Sequence, residues 1–512
     1  MKTIGKRGFL KGCLIAFSWL FFASVIMAAP APQGVLKQGI HWDNAADWLD
    51  PATCSYAVSA HLPLYLMHDA LLKPMPGNIY APCLAESYTV SPDQKVYEFR
   101  LRKGVKFHNG DTLTAEDVEF SFWRYKAAFA KQIQSRTEKV EVVNPLTVRI
   151  RFKDPYPDFL EHMLPGVSTI GWIVPKKYVE KVGDAGFKKQ PVGAGPYKFV
   201  EFVPGVRLVA EAFEGYWRKT PSIKRVEIYT VTDLATRTAM LKRGEVDVIT
   251  NLGGVSYEDV KKDPKLKLIP VPSPTRHFLQ MTMQWDPKSP WSDPRVRKAA
   301  SLAIDRQTLA DIHMPGGGPA GEIGLPDMDP LAQRYPADPY DPGQAKKLLA
   351  EAGYPNGFQG GKYYPFDSGY WAYGEQIATY LRAVGISVDI VLLDRVAWYA
   401  NREAGKFAGG IFNDPPMAPT IGGRLAYMFG KNPYGNYPDI QSLWEQFQKE
   451  SAPARRKELL GRIQDLIREK TMFITLTTNT APCGLNPRVK GDPHRIPPII
   501  WFTAPFEDIE LQ

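Results

Sequence analysis

Residues 96–118 read Val96-Tyr97-Glu98-Phe99-Arg100-Leu101-Arg102-Lys103-Gly104-Val105-Lys106-Phe107-His108-Asn109-Gly110-Asp111-Thr112-Leu113-Thr114-Ala115-Glu116-Asp117-Val118. Tyr97, Phe99, Leu101, Val105 and Phe107 alternate with polar neighbours, the period of a strand with one buried face. Gly104 and Asn109-Gly110 punctuate that alternation, which predicts a β-hairpin or meander. Thr114 then stands where a helix cap belongs, and Asp117 follows three residues on to meet the freed backbone donors. The helix opened there carries Val118, Phe122, Trp123 and Tyr125. Strand, turn and capped helix in one short stretch give the α+β texture that the rest of the chain repeats.

Working outward, Val35 to His41 reads as a strand stopped by the turn Leu49-Asp50-Pro51, and Tyr56 to Leu72 as an apolar stretch, helical after Pro63. Val140 to Phe152 is two strands hinged at Asn144-Pro145, and Gly195 to Phe213 a hairpin across Pro204-Gly205. Val226 to Val231 and Glu245 to Ile249 are strands flanking a helix over Ala235 to Arg243. Asp293-Pro294 and Asp341-Pro342 each place a capping carboxylate before a proline suited to the first helical position. The first helix runs to Ile304, and Gly353 ends the second. A helix over 372–383, a strand over Ile386 to Leu393, and helices at Ala397 to Ala404 and Arg455 to Lys470 complete the pattern. No internal repeat is evident. The fold class is α/β (mixed α+β) in more than one lobe, and 512 residues predict about three structural units.

Apolar residues at 44% and charged residues at 23% are globular values. No apolar run beyond residue 30 reaches the roughly 18 residues that span a bilayer, which excludes a polytopic helical membrane protein. The formal charge of +9 is partly a property of the leader. Lys2, Lys6, Arg7 and Lys11 lie in the first 29 residues, which hold no acid, so the remainder carries only +5. With no dense Lys/Arg tract in that remainder, nucleic acid is not an expected partner.

Residues 1–29 read as a signal peptide: a basic start, an uncharged run from Gly12, and small residues at Ala28 and Ala29 before Pro30. An uncleaved anchor is the other reading of the same run. Lys6-Arg7-Gly8-Phe9-Leu10-Lys11 fits twin-arginine export with lysine replacing the first arginine, and ordinary Sec export fits equally. Cys13 precedes the hydrophobic run, so a lipoprotein is not expected, and a soluble periplasmic protein is. Export puts Cys54, Cys83 and Cys483 in an oxidising compartment. A Cys54–Cys83 disulfide is the first pairing to consider, with three buried thiols as its alternative.

Strong catalytic spacings are missing. There is no H-E-x-x-H, P-loop, G-x-S-x-G elbow or paired C-x-x-C. Gly193-Ala194-Gly195 runs into Pro196, which cannot open a dinucleotide-binding helix. Cys54, His61 and His68 fall seven apart, which on a helix is about 10 Å per step, too far to share a metal. No catalytic residue, cofactor or metal is expected.

At this point a family resemblance becomes visible. Its blocks are Pro82-x-Leu84-Ala85-Glu86-Ser87; Tyr97-x-Phe99-x-Leu101-Arg102-x-Gly104-Val105-x-Phe107-His108-x-Gly110; and Leu113-Thr114-Ala115-Glu116-Asp117-Val118. Gly193-x-Gly195-Pro196-Tyr197, Tyr216-Trp217 and Gly244-Glu245-Val246-Asp247 follow, then Asp293-x-Arg295-Val296-Arg297-x-Ala299 with Ala303-Ile304-Asp305-Arg306, and Ala345-Lys346-x-Leu348-Leu349-x-x-Ala352-Gly353-Tyr354. In this order the chain resembles the bacterial extracellular solute-binding proteins of the oligopeptide, dipeptide and nickel class, over about residues 35–470. The resemblance implies a bilobed periplasmic-binding-protein fold with a two-strand hinge near Val271-Pro272 and Thr480-Ala481. It implies an N-terminal lobe of 31–50 plus 175–275 plus 482–512, an inserted subdomain of 51–174, and a second lobe of 276–481. It also implies a non-enzymatic monomer that takes up a peptide or small solute and meets the permease subunits of an ABC transporter, which work with a cytoplasmic ATPase. An exported hydrolase and a peptide-binding chaperone or sensor are the competing classes.

Peptide binders of this family hold the ligand ammonium with a second-lobe aspartate. The corresponding segment here, Phe407 to Pro419, offers Ile411 or Met417 at that place according to the register chosen, with Asp414 nearby. The usual clamp is therefore expected to be absent or moved to Asp414. Arg395, at a helix start where the resemblance places an aromatic, suits a carboxylate or phosphate. Tyr56, Trp285, Tyr370, Trp371 and Trp398 are the expected aromatic walls, with core packing as the alternative for each.

Overall fold

The alternating stretch forms an interior strand of a four-stranded antiparallel sheet. Val96–Leu101 pairs with Ala85–Val90 on one side and Thr147–Phe152 on the other, and Thr137–Asn144 closes the far edge. Its inward side chains, Tyr97, Phe99 and Leu101, join one core with Val118 and Phe122 of the capped helix Ala115–Arg124. Asp117 accepts a hydrogen bond from the Thr114 backbone N–H at 2.8 Å, so the cap forms as the spacing predicts. This is a computed structural model. It describes residues 31–42, 49–53, 58–126, 128–165, 170–321, 331–366, 370–414, 421–429, 432–491 and 505–512. Residues 32–512 form one compact unit.

Two larger mixed sheets carry the rest. The first has seven strands in the order Lys267–Ile269, Cys483–Leu485, Val248–Ile249, Gln33–Ile40, Ile223–Thr230, Arg207–Ala212 and Tyr197–Val203. Gln33–Ile40 runs parallel to both of its neighbours. The second has six strands in the order Gly318–Pro319, Ile474–Thr480, Pro272–Met281, Gly410–Asp414, Phe358–Tyr364 and Ile386–Ile390, the last three mutually parallel. It is buried on both faces: Leu279 and Ile411 enter one core, and Phe278, two-faced with its neighbour, enters another beside Phe473. The chain passes from the seven-stranded to the six-stranded sheet at residues 270–271 and returns at 481–482. The two passages touch, because Ala481 N–H donates to the Val271 carbonyl at 2.8 Å.

The four-stranded subdomain is seated on the seven-stranded side by a backbone-to-backbone contact. A Cβ at Gly193 would lie 1.9 Å from the Met67 carbonyl oxygen, and one at Gly195 would lie 2.6 Å from the His68 nitrogen. Only glycine permits that approach. Around it Arg124 donates two hydrogen bonds to the fully buried Asp50 at 2.6 and 2.7 Å, and Trp217 donates to Asp69 at 2.7 Å.

Several expectations change. The helix Val58–Met67 runs through Pro63 instead of beginning after it. Packing of its buried second half against two cores outweighs the lost backbone bond. The strand expected over Ile386 to Leu393 stops at Ile390, and that expected over Glu245 to Ile249 is only Val248–Ile249. Cys83 is a free buried thiol, and the partner expected for it, Cys54, lies outside the described residues. Burial, then the Asp69 carboxylate, pushes the Cys83 thiol well above its ordinary pKa. Cys483 is also free and buried.

Candidate functional site

In open α/β sheets, solutes bind beyond the carboxyl ends of the parallel strands. In the six-stranded sheet those ends are Tyr364 and Asp414, and the helix Trp371–Ala383 begins just after the first of them. Tyr370 stands at the helix start, half-buried, and accepts a hydrogen bond from Asn479 Nδ2 at 3.2 Å. His277, on the strand that leaves the first passage, is fully buried. Its ring centroid lies 4.9 Å from that of Tyr370 and 5.2 Å from that of Tyr373. Asn413 lies beside His277, one strand over. Burial pushes the His277 pKa down to about 3, only partly offset by Asn413, so the imidazole is neutral at neutral pH.

Asn413 faces His277 closely enough to offset part of that shift, yet neither His277 nitrogen, nor Asn413 Oδ1, nor Trp371 Nε1 makes a hydrogen bond of ordinary geometry among the described residues. Buried polar atoms without a close partner also occur elsewhere, at Gln38, His61 and His68, so here they make the end of the parallel strand set a candidate place for polar contact. A neutral imidazole supplies one donor and one acceptor, the amide oxygen an acceptor and the indole a donor. The described side chains of this cluster carry no net charge.

Asp414 is not part of that open set. It is 1% exposed, and Arg402 Nε donates to its Oδ2 at 2.8 Å while the Tyr427 hydroxyl donates at 3.1 Å. The Arg402 guanidinium lies 4.0 Å over the Tyr427 ring. Burial disfavours the Arg402 cation, but Tyr427 and Asp414 outweigh it and hold its pKa above the ordinary value. Asp414 is thus engaged in an internal ion pair with Arg402, which, of the two expectations, favours an absent clamp over one moved to Asp414.

Trp398 is also displaced from its expected role. It is wholly buried, its centroid 4.9 Å from Phe366, 5.4 Å from Phe407 and 6.0 Å from Phe412. Phe366 in turn lies 5.5 Å from Tyr370, so Trp398 backs the aromatic layer behind the site instead of walling it. Trp285 packs partly buried against that same aromatic cluster and stands 5.7 Å from Tyr437. The structure therefore brings Tyr370, His277 and Asn413 into one region, with Trp371 next to Tyr370 at the helix start, and gathers Trp285 and Trp398 behind it. Arg395 is the first residue of the helix Arg395–Glu403, capped by Asp394, and its side chain lies outside the described residues. Tyr56 lies outside them too. His277, Asn413 and Arg402 escaped sequence reasoning. A histidine two residues before Leu279 on an alternating strand looks like core, and only the fold shows Arg402 reaching a carboxylate twelve residues along.

Among the described residues no group of three or more His, Cys, Asp or Glu side chains could hold a metal, and no helix is long and apolar enough to cross a membrane.

Residues 80–435 match the family model described as bacterial extracellular solute-binding proteins, family 5 middle. The glutathione-binding protein GsiB of Pectobacterium atrosepticum is 31% identical over 280 residues, which are 54% of this chain and 53% of that protein, so the alignment spans about half of the relative. Heme-binding protein A of Haemophilus influenzae is 27% identical over 460 residues, 80% of this chain and 81% of that one. Among solved structures, AgaA of A. tumefaciens R10 in complex with agropinic acid has a TM-score of 0.76 at 25% identity, covering 94% of this chain and 99% of its own. The ABC transporter substrate-binding protein CtaP of Listeria monocytogenes has a TM-score of 0.80 over the same shares at 21% identity, a likeness of fold alone.

Proposed function

Because the chain belongs to the bacterial extracellular solute-binding proteins of family 5, we propose that it is the substrate-binding receptor of an ABC importer. In this reading the signal peptide of residues 1–29 is removed and the chain works as a soluble monomer in the periplasm. It closes on its solute by rotation about the two passages between the sheets, and the permease subunits read the closed form. The observation that carries the reading is those two adjoining passages at 270–271 and 481–482, the only links of chain between two independently cored sheets among the described residues. A joint of two touching strands resists sliding and permits bending.

The solute proposed is peptide-like or acidic, without dependence on a free amine. Asp414 is neutralised by Arg402, and the open groups of His277, Asn413 and Trp371 suit amide, hydroxyl or carboxylate oxygens and N–H donors. Arg395 is the proposed anchor for an acidic group. The agropinic acid bound by AgaA and the name of the heme-binding relative support a solute other than an ordinary free-amine peptide, while the glutathione-binding relative supports a peptide-like one. Native mass spectrometry of the protein purified without denaturation should show a retained small molecule. Calorimetry with that molecule should show loss of binding in Arg395→Ala, while Asp414→Asn lowers stability and leaves affinity nearly intact. Submicromolar binding of free-amine dipeptides that disappears in Asp414→Asn would overturn the specificity reading.

A further inference from the structure

The four-stranded subdomain touches the six-stranded lobe as well as the seven-stranded one. Arg456, in the first turn of the helix Pro453–Glu469, donates from Nη2 to Asp158 at the start of the short helix Phe159–His162. Gln94 Nε2 donates to the Ser451 carbonyl at 3.2 Å. A Cβ at Gly422 would lie 3.9 Å from Asp158 Oδ2 and 4.0 Å from Glu161 Oε2, so the helix Ile421–Phe429 also lies against this surface. The chain joining Asp158 to Arg456 runs through the seven-stranded sheet and the first passage. Rotation about the passages therefore separates the partners, because the subdomain stays with the seven-stranded sheet through Gly193, Gly195, Arg124–Asp50 and Asp69–Trp217.

We propose that the Arg456–Asp158 ion pair is a closure latch, made only when the six-stranded lobe has swung against the subdomain. The proposal rests on the hinge reading above and adds to it a term independent of any solute. Each partner is held in place from its own side. Arg456 Nη1 donates to the Phe447 and Glu450 carbonyls at 3.0 and 3.2 Å, and its guanidinium lies 4.0 Å over the Phe447 ring. These bonds lie within one lobe and survive opening, so Nη2 stays aimed outward. On the other side Arg136, itself 3.6 Å over the Tyr156 ring, adds a second cation near Asp158. Preorganised partners lose little side-chain entropy when they meet. The side chains are 8% and 14% exposed when paired, and opening would return both to water. Rehydration offsets much of the lost attraction, so the pair biases the equilibrium and does not lock it.

The test measures open and closed populations in protein stripped of solute by reversible unfolding. Spin labels at Glu138→Cys and Lys457→Cys, both exposed, report the separation across this contact in a chain also carrying Cys54→Ser. Wild type should show two distances, the shorter one matching the structure. Arg456→Ala and Asp158→Asn should each lower the short-to-long ratio about tenfold, within the usual range of a coupling between sites. Arg456→Lys should fall between. Circular dichroism and the retained long distance establish that the variants are folded. An unchanged ratio in both variants overturns the latch and leaves the receptor reading standing. A single distance in wild type and both variants overturns the latch and the hinge together.

Discussion

The four-stranded subdomain has two joints, and they differ in kind. Toward the seven-stranded sheet, backbones meet with no room for a methyl group at Gly193, and charged side chains are sealed inside. Lys73 lies 2.6 Å from Asp69 with the two side chains 3% and 0% exposed, and Lys73 sits 4.6 Å over the Tyr65 ring. Toward the six-stranded lobe the polar contacts include the Arg456–Asp158 ion pair, its arginine braced from its own lobe, and the Gln94–Ser451 amide bond. A joint that cannot open can bury charge without reserve, whereas one that opens must use groups that water can receive. The contrast supports the proposal that the subdomain travels with the seven-stranded half.

The sharpest way to break the comparison is Gly193→Ala. A methyl group 1.9 Å from the Met67 carbonyl forces the joint apart, and the expected loss is about 4 kcal/mol or more in urea unfolding, or failure to fold. Loss below 1 kcal/mol would show that the two backbones part freely. Asp69→Ala comes next. It strands the Lys73 cation and removes the acceptor of Trp217, at a cost of about 3–5 kcal/mol.

Acid should loosen the closed joint as well. Burial depresses His61 and His108 to about 4 and His68 to about 3, from an ordinary value of 6.5. The unfolded chain therefore takes up protons that the folded chain refuses between pH 6.5 and about 4. Stability from these residues is fully present above 6.5 and falls with pH through that window, by about 1.4 kcal/mol per pH unit for each histidine. Urea midpoints at pH 7.5, 6 and 5 measure the slope, and His68→Gln should flatten it. The smallest effect sharpens the other joint. Gln94→Ala removes a single amide bond to Ser451 and should change global stability by less than about 1 kcal/mol, while slightly lowering the closed fraction in the spin-label measurement.

Much of the fold follows from local rules. The alternation at 96–101, the Thr114–Asp117 cap, the hairpin at Pro204-Gly205 and the Asp-Pro starts at 293 and 341 all appear where their spacing predicts. Pro63 misled because its rule is local while the cost was met by tertiary burial. The site was legible only in part. Tyr370 and Trp371 announced themselves by a glycine-bearing loop before a helix. Trp398 read as a possible wall and proved to be backing, because periodicity places a ring on a face without saying what covers that face.

Residue types and short spacings by themselves determined the α/β texture, the capped helices, the missing catalytic motifs and the ordered blocks of a solute receptor, since each depends on a few neighbouring residues. Only the tertiary structure decided that Asp414 pairs with Arg402, that His277 stands buried and neutral beside Asn413, that Cys83 is free, and that Asp158 finds Arg456 almost 300 positions away. The reason is physical: a carboxylate, an imidazole or a thiol takes its role from what surrounds it in space, and the long loops of chain between these partners leave no local trace of who the neighbour is.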